Sequence, residues 1–170
     1  PAFAAAMTRG LLATGCDVTD LGVIPTPLLY FSVFELKKEA GVMITGSHNP
    51  PEHNGFKMMA GEETLYGPSI QEIYGLIRGG RFASGRGTAR ALDIIPIYED
   101  YVAARVRAGK KLRVVVDAGN GTGGEVAVPL FRRMGCEVRA LYCEMDGRFP
   151  NHHPDPTLPE AMAELVRKAR

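Results

Sequence analysis

The chain has 170 residues, 45% of them hydrophobic, enough for one or two small globular domains. Its formal net charge of +1 creates no field that would draw it to nucleic acid or an anionic membrane, so an anionic ligand has to be held by local donors. Cys16, Cys136 and Cys143 make an odd set without paired metal-ligand spacing, as expected of reduced thiols in a cytoplasmic protein.

The apolar start, Pro1 to Met7, lacks a basic n-region and runs on as an amphipathic helix, unlike a signal peptide. No apolar run approaches the roughly 20 residues of a membrane span. The helix over 2–14 is expected to stop at Gly15. Cys16 to Leu21 alternates as a strand does. Gly22 to Pro27 is rich in turn residues, and Pro27 suits the first turn of a helix over 27–39. Gly41 to Ile44 is a short strand, Phe56 to Gly61 the returning one, Glu62 to Tyr66 a turn, and 68–78 a helix. Residues 79–90 mix glycine with Arg81, Arg86 and Arg90. Such a stretch is expected to be a solvated linker rather than a nucleic-acid patch.

A helix over 96–108 presents Ile97, Tyr101, Val102 and Val106 on one side. Leu112 to Val116 is a continuous apolar run typical of a buried strand. Asp117-Ala-Gly-Asn-Gly-Thr-Gly-Gly124 then leads into a helix over 125–134. Glycine-rich turns of this kind can hold phosphate at a helix N-terminus. This one fits neither common phosphate-loop pattern, and a tight structural turn is at least as good a reading. Cys136 to Tyr142 is a strand, 144–157 a polar loop, and 159–170 a helix. His152, His153 and Asp155 suggest a metal site, but adjacent histidines in a proline-bounded loop rarely converge on one ion. They are expected to tie the loop down.

The chemistry concentrates in Thr45-Gly-Ser-His-Asn-Pro-Pro-Glu-His-Asn-Gly-Phe-Lys57, a polar loop between two strands, where scaffolds display reactive groups. Gly46 lets the backbone turn or approach a ligand. Pro50 and Pro51 stiffen the exit, and Asn54-Gly55 is a turn signal. Ser47 needs activation to act as a nucleophile. His48 is adjacent, but the Gly-x-Ser-x-Gly elbow of serine hydrolases is absent. A serine can instead carry a phosphoryl group, bringing nearly two negative charges and three acceptor oxygens.

Thr45–Pro50 together with Asn54-Gly-Phe-Lys57 resembles the phosphoserine loop of the α-D-phosphohexomutases. It is most similar to their bacterial phosphomannomutase/phosphoglucomutase branch. Asp117-x-Gly-Asn-Gly121 and Phe149-Pro-Asn-His-His-Pro-Asp-Pro156 resemble the second domain of the same family. The resemblance implies two mixed-sheet, three-layer α/β units. Residues 1–92 would be domain 1 lacking its N-terminal strand, 93–110 a connecting helix, and 111–170 a truncated domain 2. It implies an isomerase, an intramolecular phosphotransferase that interconverts hexose 1-phosphate and hexose 6-phosphate of glucose or mannose.

By the same resemblance Ser47 carries the phosphoryl group and Lys57 is the general acid/base. His48 assists catalysis, while Thr45, Gly46 and Asn49 position substrate and phosphate. Mg²⁺ is held through the Ser47 phosphate and an Asp-Gly-Asp-Gly-Asp loop that lies beyond residue 170. Glucose or mannose 1,6-bisphosphate is the implied activator. The implied partners are a hexose phosphate and the remaining domains of the same protein, with no nucleic acid or membrane. The chain alone is expected to be an inactive fragment. Two alternatives stand beside this reading: a serine hydrolase using Ser47 and His48, and a non-catalytic sugar-phosphate-binding module.

Overall fold

The computed structural model describes residues 2–50 and 52–170. Pro51, expected above to stiffen the loop with Pro50, lies outside them. The chain forms two compact units. One comprises the chain up to Gly22, Leu29–Thr45 and Gly55–Asp93. The other comprises Val23–Leu28, Gly46–Asn54 and Ile94–Arg170. Parallel and antiparallel pairings both occur, giving the mixed α/β class read from the sequence.

The first unit opens with helix α1 (Ala2–Ala13) and strand β1 (Val18–Asp20). Helix α2 (Thr26–Glu35) begins with Thr26-Pro27, so proline occupies a first-turn position where its missing N–H costs nothing. It ends four residues earlier than its apolar spacing suggests, because Lys37 takes a left-handed φ of 49° and Lys38 N–H turns back to the Val33 carbonyl. Strand β2 (Ala40–Thr45) pairs antiparallel with β3 (Gly55–Ala60), from Ala40 opposite Ala60 to Thr45 opposite Gly55.

This register assigns the two faces of the ribbon. Leu29 and Val33 of α2 press against Gly41, so Gly41, Met43, Thr45, Gly55, Lys57 and Met59 share the α2 face. Phe56 stands on the other face, where Phe3 of α1 meets it edge to face with ring centroids 6.1 Å apart. Leu29, Ser32, Val33 and Met59 form the unit's buried centre.

The supposed turn at 62–66 is a tight hairpin instead: β4 (Glu63–Thr64) adds to β3. Helix α3 (Pro68–Arg78) follows, with Pro68 in its first turn and Arg78 in its last, where a cation suits the helix dipole. The Gly/Arg stretch after it is docked over part of its length. Gly85 N–H and Gly87 N–H donate to the Ala13 and Leu12 carbonyls. Thr88 donates through both N–H and hydroxyl to Asp17, at 2.7 Å each, which holds the Asp17 carboxyl below its ordinary pKa. Its end, β5 (Ala89–Ala91), pairs parallel with β1. The glycines allow this: a Cβ on Gly87 would stand 1.9 Å from the Cys16 carbonyl oxygen. The stretch is exposed almost throughout, as its composition suggests, and close backbone approach accounts for the glycines at 85 and 87. The unit also contains a cavity of about 790 Å³ lined by Leu11, Val18, Leu29, Val33, Leu36 and Val42, among others.

The second unit is a strand–helix–strand–helix layer preceded by a helix. Helix α4 (Ile95–Arg105) ends three residues before its apolar pattern does, where Val106 becomes extended. Strand β6 (Arg113–Asp117) pairs parallel with β7 (Glu137–Leu141), Val115 opposite Arg139. The crossover is helix α5 (Gly124–Arg133), with Val126 and Val128 buried and an Arg133–Asp100 ion pair to α4. Helix α6 (Pro159–Ala169) packs on β6 through the face that carries Ala161. Its acidic first turn (Glu160) and basic last turn (Arg167, Lys168) complement its dipole.

Candidate active site

The loop following β2 places Ser47 at the apex of a turn. Asn49 N–H donates to the Gly46 carbonyl at 3.0 Å, and His53 N–H closes a second turn on Pro50 at 2.9 Å. Ser47 takes φ 56°, a left-handed conformation uncommon for a residue with a side chain and one that collects at functional sites. Gly46 is required by packing: a Cβ there would lie 2.8 Å from the His53 carbonyl oxygen. Ser47, His48, Asn49 and Pro50 are all exposed. The serine hydroxyl is presented to solvent and not to a hydrophobic interior.

The adjacent side chains do converge. Ser47 Oγ stands 3.3 Å from His48 Nδ1, so the hydroxyl donates when that nitrogen is unprotonated and accepts when it carries a proton. Thr45 ends β2 opposite Gly55. Lys57 lies two residues into β3 with its side chain exposed, on the face shared with Met43 and Met59.

A second layer of residues comes from the glycine-rich turn and the histidine loop, where His152 and Asp155 tie the loop down as expected. Asp117, at the end of β6, accepts from Gly119 N–H at 2.9 Å. His152 Nε2 lies 3.1 Å from both of its carboxylate oxygens. His152 Nδ1 lies 2.9 Å from the His153 carbonyl. Both ring nitrogens face acceptors, so the imidazolium, which donates at both, satisfies the arrangement best. The His153 carbonyl and then the Asp117 carboxylate accordingly raise His152 above the ordinary histidine pKa.

Asn120 completes the frame. It is buried, with φ 59°. Its amide donates to the Glu144 carbonyl at 2.9 Å and its side-chain oxygen accepts from Asn151 at 2.7 Å. Its own N–H and carbonyl bond Tyr142 and Asp146. In the turn read as phosphate loop or structural corner, the Asp117 and Asn120 side chains bond the 142–153 loop.

That loop delivers His153 to the serine turn: the His153 and His48 rings meet edge to face with centroids 6.0 Å apart. Asp155, whose carboxyl is held below its ordinary pKa by the Thr157 hydroxyl and N–H, also feels the charge of His48 and His153. The Asp-x-Gly-Asn-Gly and Asn-His-His-Pro-Asp-Pro segments were both visible in the sequence. Their mutual bonding, across 31 and 35 residues, had no local signal.

A metal ion such as Mg²⁺ takes hard oxygen ligands. Among the described residues no three His, Cys, Asp or Glu side chains gather to hold one, whereas a phosphate on the exposed Ser47 would supply oxygens of the right kind. No helix among the described residues is long and apolar enough to cross a membrane.

Comparison with known proteins gives two family-model matches: phosphoglucomutase/phosphomannomutase α/β/α domain I over residues 1–84 and domain II over residues 96–170. The chain is 44% identical over its whole length to a phosphomannomutase/phosphoglucomutase of Pseudomonas aeruginosa, covering 37% of that protein. It is 44% identical over 93% of its length to a phosphoglucomutase of Neisseria gonorrhoeae, covering 35% of that one. The crystal structure of a phosphoglucomutase/phosphomannomutase family protein from Burkholderia thailandensis superposes with a TM-score of 0.90 at 38% identity, over 97% of this chain and 38% of the other. The chain thus spans little more than a third of the length of these relatives.

Proposed function

Since the chain belongs to the phosphoglucomutase/phosphomannomutase family, we propose that Ser47 is the phosphoryl carrier of a hexose phosphate mutase of which this chain is the N-terminal part. The observation that carries the reading is the exposed serine at φ 56° with a histidine nitrogen 3.3 Å from its oxygen. A solvent-facing serine with a left-handed backbone at a turn apex is placed for group transfer.

Phosphorylated Ser47 gives its phosphoryl group to a free hydroxyl of a hexose monophosphate. The P–O bond to serine breaks, the P–O bond to the sugar forms, and the product is the 1,6-bisphosphate. After reorientation the other phosphate returns to Ser47, so phosphate moves between C1 and C6 with no net change in the protein. Because little covalent chemistry falls to the protein in phosphoryl transfer, positioning and charge neutralisation dominate.

His48 orients the serine oxygen, and Thr45, Gly46 and Asn49 shape the phosphate-binding turn. Lys57 exchanges a proton with the attacking or leaving sugar hydroxyl. Ser47 phosphate oxygens would hold Mg²⁺, which supplies neutralising charge to the transferring group. A hexose 1,6-bisphosphate restores the phosphoserine if it is lost. The rest of the metal and sugar contacts come from further domains, so the chain alone should not turn over. The division into 1–92, 93–110 and 111–170 and a cytoplasmic location, supported by three free thiols, belong to the same proposal.

Family membership does not favour a serine hydrolase. Incubating the intact protein with glucose 1,6-bisphosphate tests the reading. One phosphoryl group is expected on Ser47, absent in Ser47→Ala, which also loses turnover. Undiminished turnover in that variant contradicts it.

A further inference from the structure

The route from Asp117 to Ser47 lies wholly within the second unit and passes through His153, to which nothing above assigns a role in the chemistry. Asp117 lies at the end of a parallel strand with its side chain only 8% exposed, which makes it the anchored end. His152 is clamped between this carboxylate and the His153 carbonyl. Tyr142 packs its ring edge to face on His152 at 5.3 Å, and the loop runs so close to Gly119 that a Cβ there would stand 3.2 Å from Pro154 Cβ and 3.4 Å from His152 Cε1. The backbone at His153 is therefore held from both sides, although its side chain is exposed. That side chain touches the His48 ring, and His48 Nδ1 stands at the serine hydroxyl.

We propose that His153 is a positioning residue for phosphoryl transfer at Ser47. Seated by the Asp117–His152 clamp, its ring sets the orientation of His48 and so the approach of the His48 nitrogen to the serine oxygen. The proposal rests on the reading of Ser47 as phosphoryl carrier. A ring pair between two exposed histidines adds little to stability. The contact makes sense as control of an orientation. Edge-to-face ring pairs have a defined geometry, and misplacing a group by about 1 Å can cost roughly a hundredfold in rate.

The test uses the intact protein with His153→Ala and His153→Phe beside wild type and Ser47→Ala. It reads kcat and KM for glucose 1-phosphate, phosphorylation of Ser47 by glucose 1,6-bisphosphate, the His48 ring resonances and Tm. His153→Ala is expected to lower kcat and the rate of Ser47 phosphorylation about tenfold or more. KM should be essentially unchanged, the His48 resonances should move, and Tm should hold, since an exposed side chain is removed. His153→Phe keeps the ring contact and should recover most of the loss.

The proposal is overturned if His153→Ala turns over like wild type, or if Ala and Phe are equally impaired. If wild type itself takes no phosphate on Ser47, the carrier reading falls and this proposal with it. Normal phosphorylation of both wild type and His153→Ala removes the proposal alone.

Discussion

Asn120→Ala removes the side chain that binds the Asp117–Gly124 turn to the loop delivering His153. Two hydrogen bonds are lost, to the Glu144 carbonyl at 2.9 Å and from the Asn151 amide at 2.7 Å. Both bonds are part-buried, and the loss of each costs about 1–1.5 kcal/mol. Alanine must also hold φ 59°, which costs about 1 kcal/mol that asparagine largely avoids. The sum is about 3–4 kcal/mol.

Asn120→Gly tolerates the backbone and should cost about 2–3 kcal/mol. Asn120→Asp still accepts from Asn151 but turns an anionic oxygen toward the Glu144 carbonyl, and should be no milder than alanine. The chain contains no tryptophan, so unfolding is followed by circular dichroism in urea. Hydrogen exchange at Tyr142–Asp146 reports the turn itself. In a chain of this size each kcal/mol moves Tm by about 2–4 °C. An alanine variant within about 0.5 kcal/mol of wild type, or alanine and glycine variants of equal stability, would refute the reasoning.

Gly87→Ala drives a Cβ into the Cys16 carbonyl, a backbone atom that no rotamer change can move. It should cost about 3 kcal/mol and release the docked strap. Gly10→Ala meets nothing within 4 Å inside α1 and should stabilise by about 0.5–1 kcal/mol; thermal denaturation reads both. His152 has a raised folded pKa, so its contribution to stability is complete below its unfolded value near 6.5 and is lost as pH rises through the folded value. Urea midpoints across that window should fall with rising pH, and Asp117→Asn should flatten the dependence. Lys57→Arg in the intact protein keeps the charge but not the proton chemistry and should lose about a hundredfold or more in kcat; full activity would make Lys57 an electrostatic clamp.

Where periodicity and punctuation agree, the sequence was a sufficient guide. Pro68 and Pro159 at helix starts and the apolar run Leu112–Val116 each mark an element that forms within a residue or two of its expected bounds. The Ser47 turn was legible because glycine, proline and asparagine in that order have few backbone solutions. Elements that depend on distant partners were not legible. Ala89–Ala91 has no strand character of its own and becomes one by lying beside Val18–Asp20. The His152–Asp117 clamp joins residues 35 apart that no local pattern connects. Lys37 ends α2 through a backbone angle that its side chain does not announce.

The central claim concerns one oxygen atom and is tested most directly by site-resolved mass spectrometry of the intact protein after exposure to glucose 1,6-bisphosphate. A single phosphoryl group at Ser47, removed again by addition of excess hexose monophosphate, is the expected result. Phosphate on another residue, or none while turnover proceeds, would contradict it.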